Sequence, residues 1–133
     1  MEIKVPKTLK VLTSAHVAAI KYSHEEIVIP DGIQEISDYT FSGYWTKKVV
    51  LPKTLKKVGS HAFDKCTYLE DVIFSNGIEE IGEFAFSNCY NLKYVFLPST
   101  LKKIGDYAFD TSYTQFEKTA TGRYKVKNGN RTL

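Results

Sequence analysis

Apolar and polar positions alternate in short runs along the chain. Val72 and Phe74 alternate with Asp71 and Ile73, which is the two-residue period of a β-strand. A glycine follows three of these runs at a fixed distance, and an Ala-Phe pair follows the glycine. This order predicts a short strand, then a turn, then a short helical or 3₁₀ stretch.

The same string of residues returns at regular intervals. The segment LPKTLKKVG at 51–59 returns as LPSTLKKIG at 97–105, and FSNGIEEIG at 74–82 lies halfway between them. The period is therefore about 23 residues, within the range of solenoid repeats. A unit of this size holds too few apolar groups to close a core alone. The units are therefore expected to stack into a solenoid, with equivalent strands parallel and about 4.8 Å apart.

Earlier copies are less regular. The segment at 29–37 begins one position later than the period requires, so one residue is missing between Phe41 and Val49. Residues 5–12 resemble a degenerate copy, followed by a predicted short helix with Ser14 as its N-cap.

The repeat resembles that of the BspA-type leucine-rich repeats, found in bacterial surface antigens and in protist surface proteins. The matching pattern is Leu-x-x-Val-x-Phe/Leu-Pro-x-x-Leu-x-x-Ile-Gly-x-x-Ala-Phe-x-x-Cys-x-x, and the resemblance covers about residues 25–116. It implies an α/β fold, a right-handed leucine-rich-repeat solenoid with a parallel β-sheet on one side and short helical or 3₁₀ segments on the other. It also implies protein binding and adhesion, without a fixed catalytic or ligand residue.

The length of 133 residues suits a single domain with three parts. Residues 1–26 are predicted to form a degenerate N-terminal repeat and cap, and 27–116 to form four repeats of about 23 residues. Residues 117–133 are predicted to form a basic C-terminal cap strand or tail. Tyr124 and Val126 alternate there with charged residues, which favours an edge strand.

The register of the repeat assigns several apolar columns to the interior. These are the inward strand positions, two positions after each strand, and a phenylalanine column: Ile27, Ile29, Val49, Leu51, Val72, Phe74, Val95 and Leu97; Ile33, Leu55, Ile78 and Leu101; Ile36, Val58, Ile81 and Ile104; Phe41, Phe63, Phe86 and Phe109. Cys66 and Cys89 are expected inside as small apolar thiols. A disulfide between them is the alternative, since stacked coils could bring them to bonding distance.

Outward strand positions form an apolar column beside charged ones. The apolar column is Val28, Val50, Ile73 and Phe96. The charged columns alternate in sign from coil to coil, which disfavours a slip of one repeat: Glu25, Lys47, Glu70 and Lys93; Glu26, Lys48 and Asp71, ending at Tyr94; and, in the loop after each strand, Glu35, Lys57, Glu80 and Lys103. We interpret these charges as stabilising ladders.

An exposed apolar stripe is typical of an interaction site, and aromatic residues are common anchors. The sheet face is therefore the predicted partner-binding surface, comprising Val28, Lys48, Val50, Asp71, Ile73, Tyr94 and Phe96. The alternatives are sheet propensity alone and cover by a terminal segment. A second aromatic column is interpreted as half-buried packing rather than as a recognition surface: Tyr39, His61, Phe84 and Tyr107.

The net charge of +3 is concentrated at the C-terminal end. Residues 117–133 carry five basic residues and one acidic residue, and residues 1–116 carry 13 basic and 14 acidic residues. The candidate anion-binding residues are Arg123, Lys125, Lys127 and Arg131, with Tyr124 available for stacking. A solvated capping strand is the favoured interpretation of this tail.

The motifs of catalysis are absent from the sequence. The glycines occur once per repeat and form no phosphate loop, and the three histidines and two cysteines have no metal-ligand spacing. Carboxylates fall into ladders, and Ser60 beside His61 does not make a triad. We therefore predict no enzyme, no cofactor and no metal.

The sequence favours a protein-protein interaction module. Its alternatives are a small inhibitor or adaptor, for example from a mobile element or phage, that blocks a nucleic-acid-processing enzyme, and a fragment of a surface adhesin. The expected partner is another protein, with a homodimer left open; direct binding of nucleic acid and a membrane span are not expected. The start of the chain has no basic-then-apolar leader, so we expect a cytoplasmic location for the chain as given and an extracellular one if it is a fragment.

Overall fold

The computed structural model describes residues 1–74, 76–92, 94–109, 114–118 and 123–128; for 114–118 and 123–128 it describes the backbone alone. The described chain winds into stacked coils with two β-sheets. The strands are β1 Val11–Leu12, β2 Ile27–Val28, β3 Glu35–Ile36, β4 Lys48–Val50, β5 Lys57–Val58, β6 Asp71–Ile73, β7 Glu80–Ile81, β8 Tyr94–Phe96, β9 Lys103–Ile104, β10 Thr114–Lys118 and β11 Arg123–Asn128.

The main sheet has six strands in the order β10-β11-β8-β6-β4-β2, and the second sheet has five in the order β1-β3-β5-β7-β9. Strands β2, β4, β6 and β8 are parallel neighbours, as the stacking of repeats requires. The predicted parallel-sheet solenoid is confirmed. The second sheet was not predicted, because each of its strands spans only two residues.

The pairing register locates the missing residue of the first repeat. Ile27 pairs with Val49, and Lys48 pairs with Asp71, so the first step along the chain is one residue shorter than the second. The N–H of Gly43 donates to Asp64 O in the next coil, and the N–H of Lys65 donates to Ser87 O in the coil after it. Gly43 and Lys65 are therefore equivalent positions, and the shorter spacing still holds at Gly43. The gap therefore falls between Gly43 and Lys48.

The side opposite the main sheet differs from the prediction. The Ala-Phe segments form turns; among the described residues, the helices are α1 at Ser14–Val17 and a 3₁₀ turn at Ala18–Ile20. The cause is the direction of the backbone hydrogen bonds. The N–H of Phe63 donates to Ala85 O at 2.7 Å, in the next coil, so it is not available for a helical bond within its own segment.

The predicted N-cap of α1 is off by one residue. Thr13 is the N-cap, with an extended backbone at φ −124°, and Ser14 is the first helical residue. The N–H of Thr13 donates to Nδ1 of His16 at 3.0 Å, so His16 takes the part that the third helical residue plays in a capping box.

The predicted interior is confirmed. The inward strand residues and the phenylalanine column are buried, and Leu97, Leu101 and Ile104 are partly buried against the core near its C-terminal end. The phenylalanine rings stack face to face from coil to coil, with Phe63 and Phe86 centroids 5.0 Å apart and their planes 3° from parallel. One continuous apolar column thus joins the coils.

The repeated glycine is explained by close packing between coils. A Cβ on Gly82 would lie 2.6 Å from Ser60 N and 2.7 Å from Gly59 C, both backbone atoms of the coil before it. Gly59 and Gly105 meet their preceding coils in the same way. The sequence indicated a turn, but the stronger requirement is the absence of a side chain where two coils touch.

Cys66 and Cys89 are buried and unbonded, as favoured from the sequence. The Cys66 thiol donates to Phe41 O at 3.1 Å, and the Cys89 thiol donates to Phe63 O at 3.2 Å. Burial raises the pKa of Cys66 to about 12, and burial also raises the pKa of Cys89. Both groups are therefore neutral thiols that tie one coil to the previous one.

Two antiparallel strands of the C-terminal segment lie at the end of the main sheet. Strand β11 pairs antiparallel with β8 on one side and with β10 on the other. The predicted strand around Tyr124 is thus present, but it is not the edge, because β10 lies outside it. Strands β11 and β10 thus extend the main sheet beyond β8.

Candidate functional site

The predicted sheet face contains a continuous apolar column. Val28 pairs in register with Val50, and Val50 with Ile73, so the three lie on successive coils. All three are half-buried, between the buried core positions and full exposure. At the start of the column, Glu2 bridges to Val28, and the N–H of Val28 donates to Met1 O at 2.8 Å. The column is therefore bordered by the N-terminal residues.

Charged residues run beside this column as predicted. Lys48 Nζ lies 3.7 Å from the Glu26 carboxylate, with both side chains partly exposed. Lys48 pairs in register with Asp71, and Asp71 with Tyr94. The side chains of Tyr94 and Phe96 lie outside the described part of the structure, as does Lys93. The structure thus brings together five of the seven predicted face residues as side chains and the other two as backbone positions.

The second sheet carries the other alternating ladder. Glu35 pairs with Lys57, Lys57 with Glu80, and Glu80 with Lys103. Next to it, Lys102 Nζ lies 3.7 Å from the Glu79 carboxylate. Opposite charges are adjacent on each pair of neighbouring strands from β3 to β9, as the register predicted.

The candidate anion-binding residues fall mostly on β11. Arg123 pairs with Phe96, Lys125 with Tyr94, and Lys127 with Gln115, so the strand continues the predicted face at its C-terminal side. Arg131 lies outside the described residues. The structure describes Arg123, Lys125 and Lys127 by their backbone alone and assigns these three residues no ligand.

The second aromatic column is present and has an unusual backbone. Tyr39, His61, Phe84 and Tyr107 all have φ between 56° and 62°, the left-handed region that side-chain-bearing residues seldom occupy. Their rings stack at 4.7, 4.9 and 5.2 Å between centroids. Tyr39 and Tyr107 are exposed, whereas His61 and Phe84 are half-buried. This column thus continues from coil to coil on the turn side.

His61 contacts a buried carboxylate. Its Nδ1 lies 2.9 Å from Oδ2 of Asp64, and Nδ2 of Asn88 donates to the other carboxylate oxygen of Asp64 at 3.4 Å. Asp64 is buried, so these contacts satisfy a carboxylate that would otherwise be costly to bury. We interpret the pair as a structural brace for the ring column.

Sequence reasoning missed a cluster of exposed rings. Tyr22, Trp45 and Tyr68 lie in the loops that enter the main sheet on three successive coils, and His24 lies among them. The centroids of Tyr22 and Trp45 are 4.9 Å apart, and those of His24 and Tyr68 are 4.8 Å apart. The equal spacing of the three large rings along the sequence was the signal that could have found them. We name these four residues the ring cluster.

Neither a metal-binding cluster nor a membrane-spanning helix occurs among the described residues. No three or more His, Cys, Asp or Glu side chains gather there in an arrangement that could hold a metal ion. No helix in that part of the chain has the length and apolar character needed to cross a bilayer.

Three solved structures share the fold. The pneumococcal vaccine antigen PcpA is 24% identical with a TM-score of 0.59, over 67% of this chain and 28% of its own. A leucine-rich repeat protein of T. pallidum is 28% identical with a TM-score of 0.52, over 66% and 55%. One from Eubacterium ventriosum is 22% identical with a TM-score of 0.52, over 77% and 36%. The chain therefore spans between 28% and 55% of the length of these proteins.

The sequence comparison extends beyond the region that the repeat indicated. No protein of curated function matches the chain in sequence. The profile of the BspA type leucine-rich repeat region matches residues 2–121 in six copies, and so includes both the degenerate N-terminal copy and the start of the C-terminal segment. The chain belongs to the BspA-type leucine-rich repeat family.

Proposed function

We propose that this chain is a non-catalytic protein-protein interaction module that docks a partner on the face of its main sheet. The observation that supports it is the column Val28, Val50 and Ile73, which is apolar, half-buried and in register on three coils. A stripe of this kind loses water when a flat partner surface covers it, and this stabilises the complex by roughly 25 cal/mol per Å² of apolar area.

The charges beside the column would set orientation more than affinity. Lys48 and Asp71 lie on adjacent coils and present opposite charges next to the stripe. A partner with charges in the reverse order fits in one register, and a shift by one coil would place like charges together. The proposed contact residues are the predicted ones: Val28, Lys48, Val50, Asp71, Ile73, Tyr94 and Phe96.

The test compares variants in capture of partners from the native cell. Ile73→Lys places a charge in the middle of the stripe, and Lys57→Gln, which changes an exposed residue on the second sheet without placing like charges side by side, is the matched control. We expect the control to recover the same proteins as the wild type and Ile73→Lys to lose them, while circular dichroism shows that both remain folded. Equal recovery by all three proteins would contradict the sheet-face proposal.

A homodimer on the same face is tested by sedimentation equilibrium. If the partner is a second copy, the wild type and Lys57→Gln sediment as dimers and Ile73→Lys as a monomer. The identity of a recovered heterologous partner then decides between the narrower proposals: a nucleic-acid-processing enzyme supports the inhibitor or adaptor role, and an extracellular host protein supports the adhesin fragment.

A further inference from the structure

The ring cluster forms an exposed platform along three coils. The exposed fractions are 65% for Tyr22, 40% for Trp45 and 40% for Tyr68. The rings are packed against each other, with Tyr22 edge-on to Trp45 and Trp45 tilted by 56° to Tyr68 at a centroid distance of 5.7 Å. His24 lies 5.6 Å from Trp45 and 4.8 Å from Tyr68. Packing between the rings holds them in place, so a ligand would meet a largely preformed surface.

The polar atoms of these rings are available for a ligand. Among the hydrogen bonds of the described residues, none involves the hydroxyls of Tyr22 and Tyr68, the indole N–H of Trp45 or the ring nitrogens of His24. The platform thus offers apolar ring faces and, at their edges, several hydrogen-bonding groups exposed to water. It contains no aliphatic side chain.

The charges beside the platform nearly cancel. Lys47 and Lys48 on the middle coil lie between the Glu25–Glu26 pair on the first coil and the Glu70–Asp71 pair on the third. Lys21 adds one further positive charge, with Nζ 5.7 Å from the Tyr22 ring centroid. A strongly anionic or cationic ligand would find attractive and repulsive charges on neighbouring coils, so a neutral ligand suits this surface best.

We infer that the ring cluster is a binding platform for a neutral saccharide. A pyranose ring has an apolar face of C–H groups and a rim of hydroxyls, which complements ring faces bordered by hydrogen-bonding groups. The rings recur once per coil, and coils repeat at about 4.8 Å, a step close to the length of one sugar unit in an extended chain. A linear oligosaccharide lying across the coils would therefore place successive sugars against successive rings, over a ring face at one coil and against a ring edge at the next, because neighbouring planes are inclined by 73° and 56°. This site adjoins the sheet face proposed above for protein partners, with Lys48 and Asp71 lying between the two, but none of its four rings belongs to that face.

The site contains its own reporter, because Trp45 is the single tryptophan of the chain. The experiment titrates the full chain with a panel of soluble neutral oligosaccharides (cello-, malto-, laminari-, manno- and chito-hexaoses) at up to millimolar concentrations and follows Trp45 fluorescence. We expect at least one member to produce a saturable change. Longer chains should bind more tightly than the corresponding disaccharide, because they reach more than one ring.

Matched variants separate this site from general effects. Tyr22→Ala and Tyr68→Ala each remove one ring and should weaken binding by about tenfold or more. Tyr90→Ala is the control, since Tyr90 is 62% exposed and its hydroxyl donates to Asn88 outside the cluster; it should bind as the wild type does. Thermal melting of all variants verifies that the fold is kept.

Three results would overturn the inference. The first is no fluorescence change with any member of the panel. The second is equal binding by the wild type, Tyr22→Ala and Tyr68→Ala. The third is a captured protein partner that changes Trp45 fluorescence in the wild type and not in Tyr68→Ala while every saccharide fails, which would make the cluster a protein contact. Failure of the sheet-face proposal changes none of these readouts, because Ile73 lies outside the cluster.

Discussion

The phenylalanine column gives the sharpest test of how the coils are held together. Phe86 is fully buried and lies between Phe63 and Phe109, with centroid distances of 5.0 and 5.1 Å and planes within 3° of parallel. The edge of Phe74 meets the same ring at 5.9 Å and 74°. Phe86→Ala removes a ring that touches two neighbouring coils and the residue that follows β6.

The expected loss can be worked from these contacts. Truncating a buried phenylalanine to alanine costs about 3–5 kcal/mol of unfolding free energy. We expect the upper half of that range, because three aromatic pairs, each worth about 0.5–1.5 kcal/mol beyond burial, disappear together. Small domains have only about 5–15 kcal/mol in total. Phe86→Leu keeps most of the volume and loses the ring pairs, so its cost should be roughly half as large.

The assay is urea unfolding followed by circular dichroism, with the free energy compared at a common slope. Phe86→Leu keeps the experiment informative if Phe86→Ala does not fold. Tyr90→Ala, which removes an exposed aromatic ring from the same repeat, should change stability by less than about 0.5 kcal/mol. A loss below about 1 kcal/mol for Phe86→Ala would refute the stacked column as a main source of stability.

Packing between the coils leads to three more testable outcomes. Gly82→Ala should destabilise by about 1–3 kcal/mol or more in urea unfolding, because its Cβ meets backbone atoms that have no rotamer to move into; an unchanged midpoint would show that the coils can separate. Cys66 should react with a thiol reagent only on unfolding. The pKa of Cys66 is about 12 in the folded protein and near 9.0 in the unfolded chain. The contribution of the protonated thiol to stability is therefore complete below pH 9.0 and is lost as the pH rises toward 12. Urea unfolding at both pH values measures this loss. Glu80→Lys places three lysines side by side with Lys57 and Lys103 and should cost roughly 1 kcal/mol at low salt and less at high salt; no salt dependence would contradict the ladder.

The sequence was sufficient for the main sheet and for the columns that repeat, but not for the two-residue strands of the second sheet. The regular period placed the parallel strands, the buried columns and the alternating ladders, because one unit stacked on its copy must bury the same positions in every coil. It was insufficient for the turn side. The Ala-Phe segments looked helical, but the N–H groups of Phe63 and Phe86 bond to the next coil, and a contact of this kind depends on how closely coils stack, which no local pattern encodes.

The glycines and the helix cap show the same limit at single residues. Gly82 looked like a turn residue because turns favour glycine, but what requires it is a neighbouring backbone 2.6 Å from where a Cβ would be. Ser14 was predicted as the N-cap, but Thr13 beside it is of a residue type that caps helices equally well. The His16 ring that accepts the Thr13 N–H decides between them, and that contact is visible only in three dimensions.

The ring cluster shows where recognition can be placed on a scaffold like this one. In each coil, the glycine, the phenylalanine and the inward strand residues are fixed by contacts with the neighbouring coils, so they cannot vary with a partner. The loop position of Tyr22, Trp45 and Tyr68 does not form the core contacts between coils. On the next coil this position is Asn91, whose side-chain amide donates to Thr67 O. Three exposed aromatic rings at a position that the core leaves free are not explained by packing. The proposed binding role accounts for these rings, and the series ends at the coil where Asn91 takes the same position.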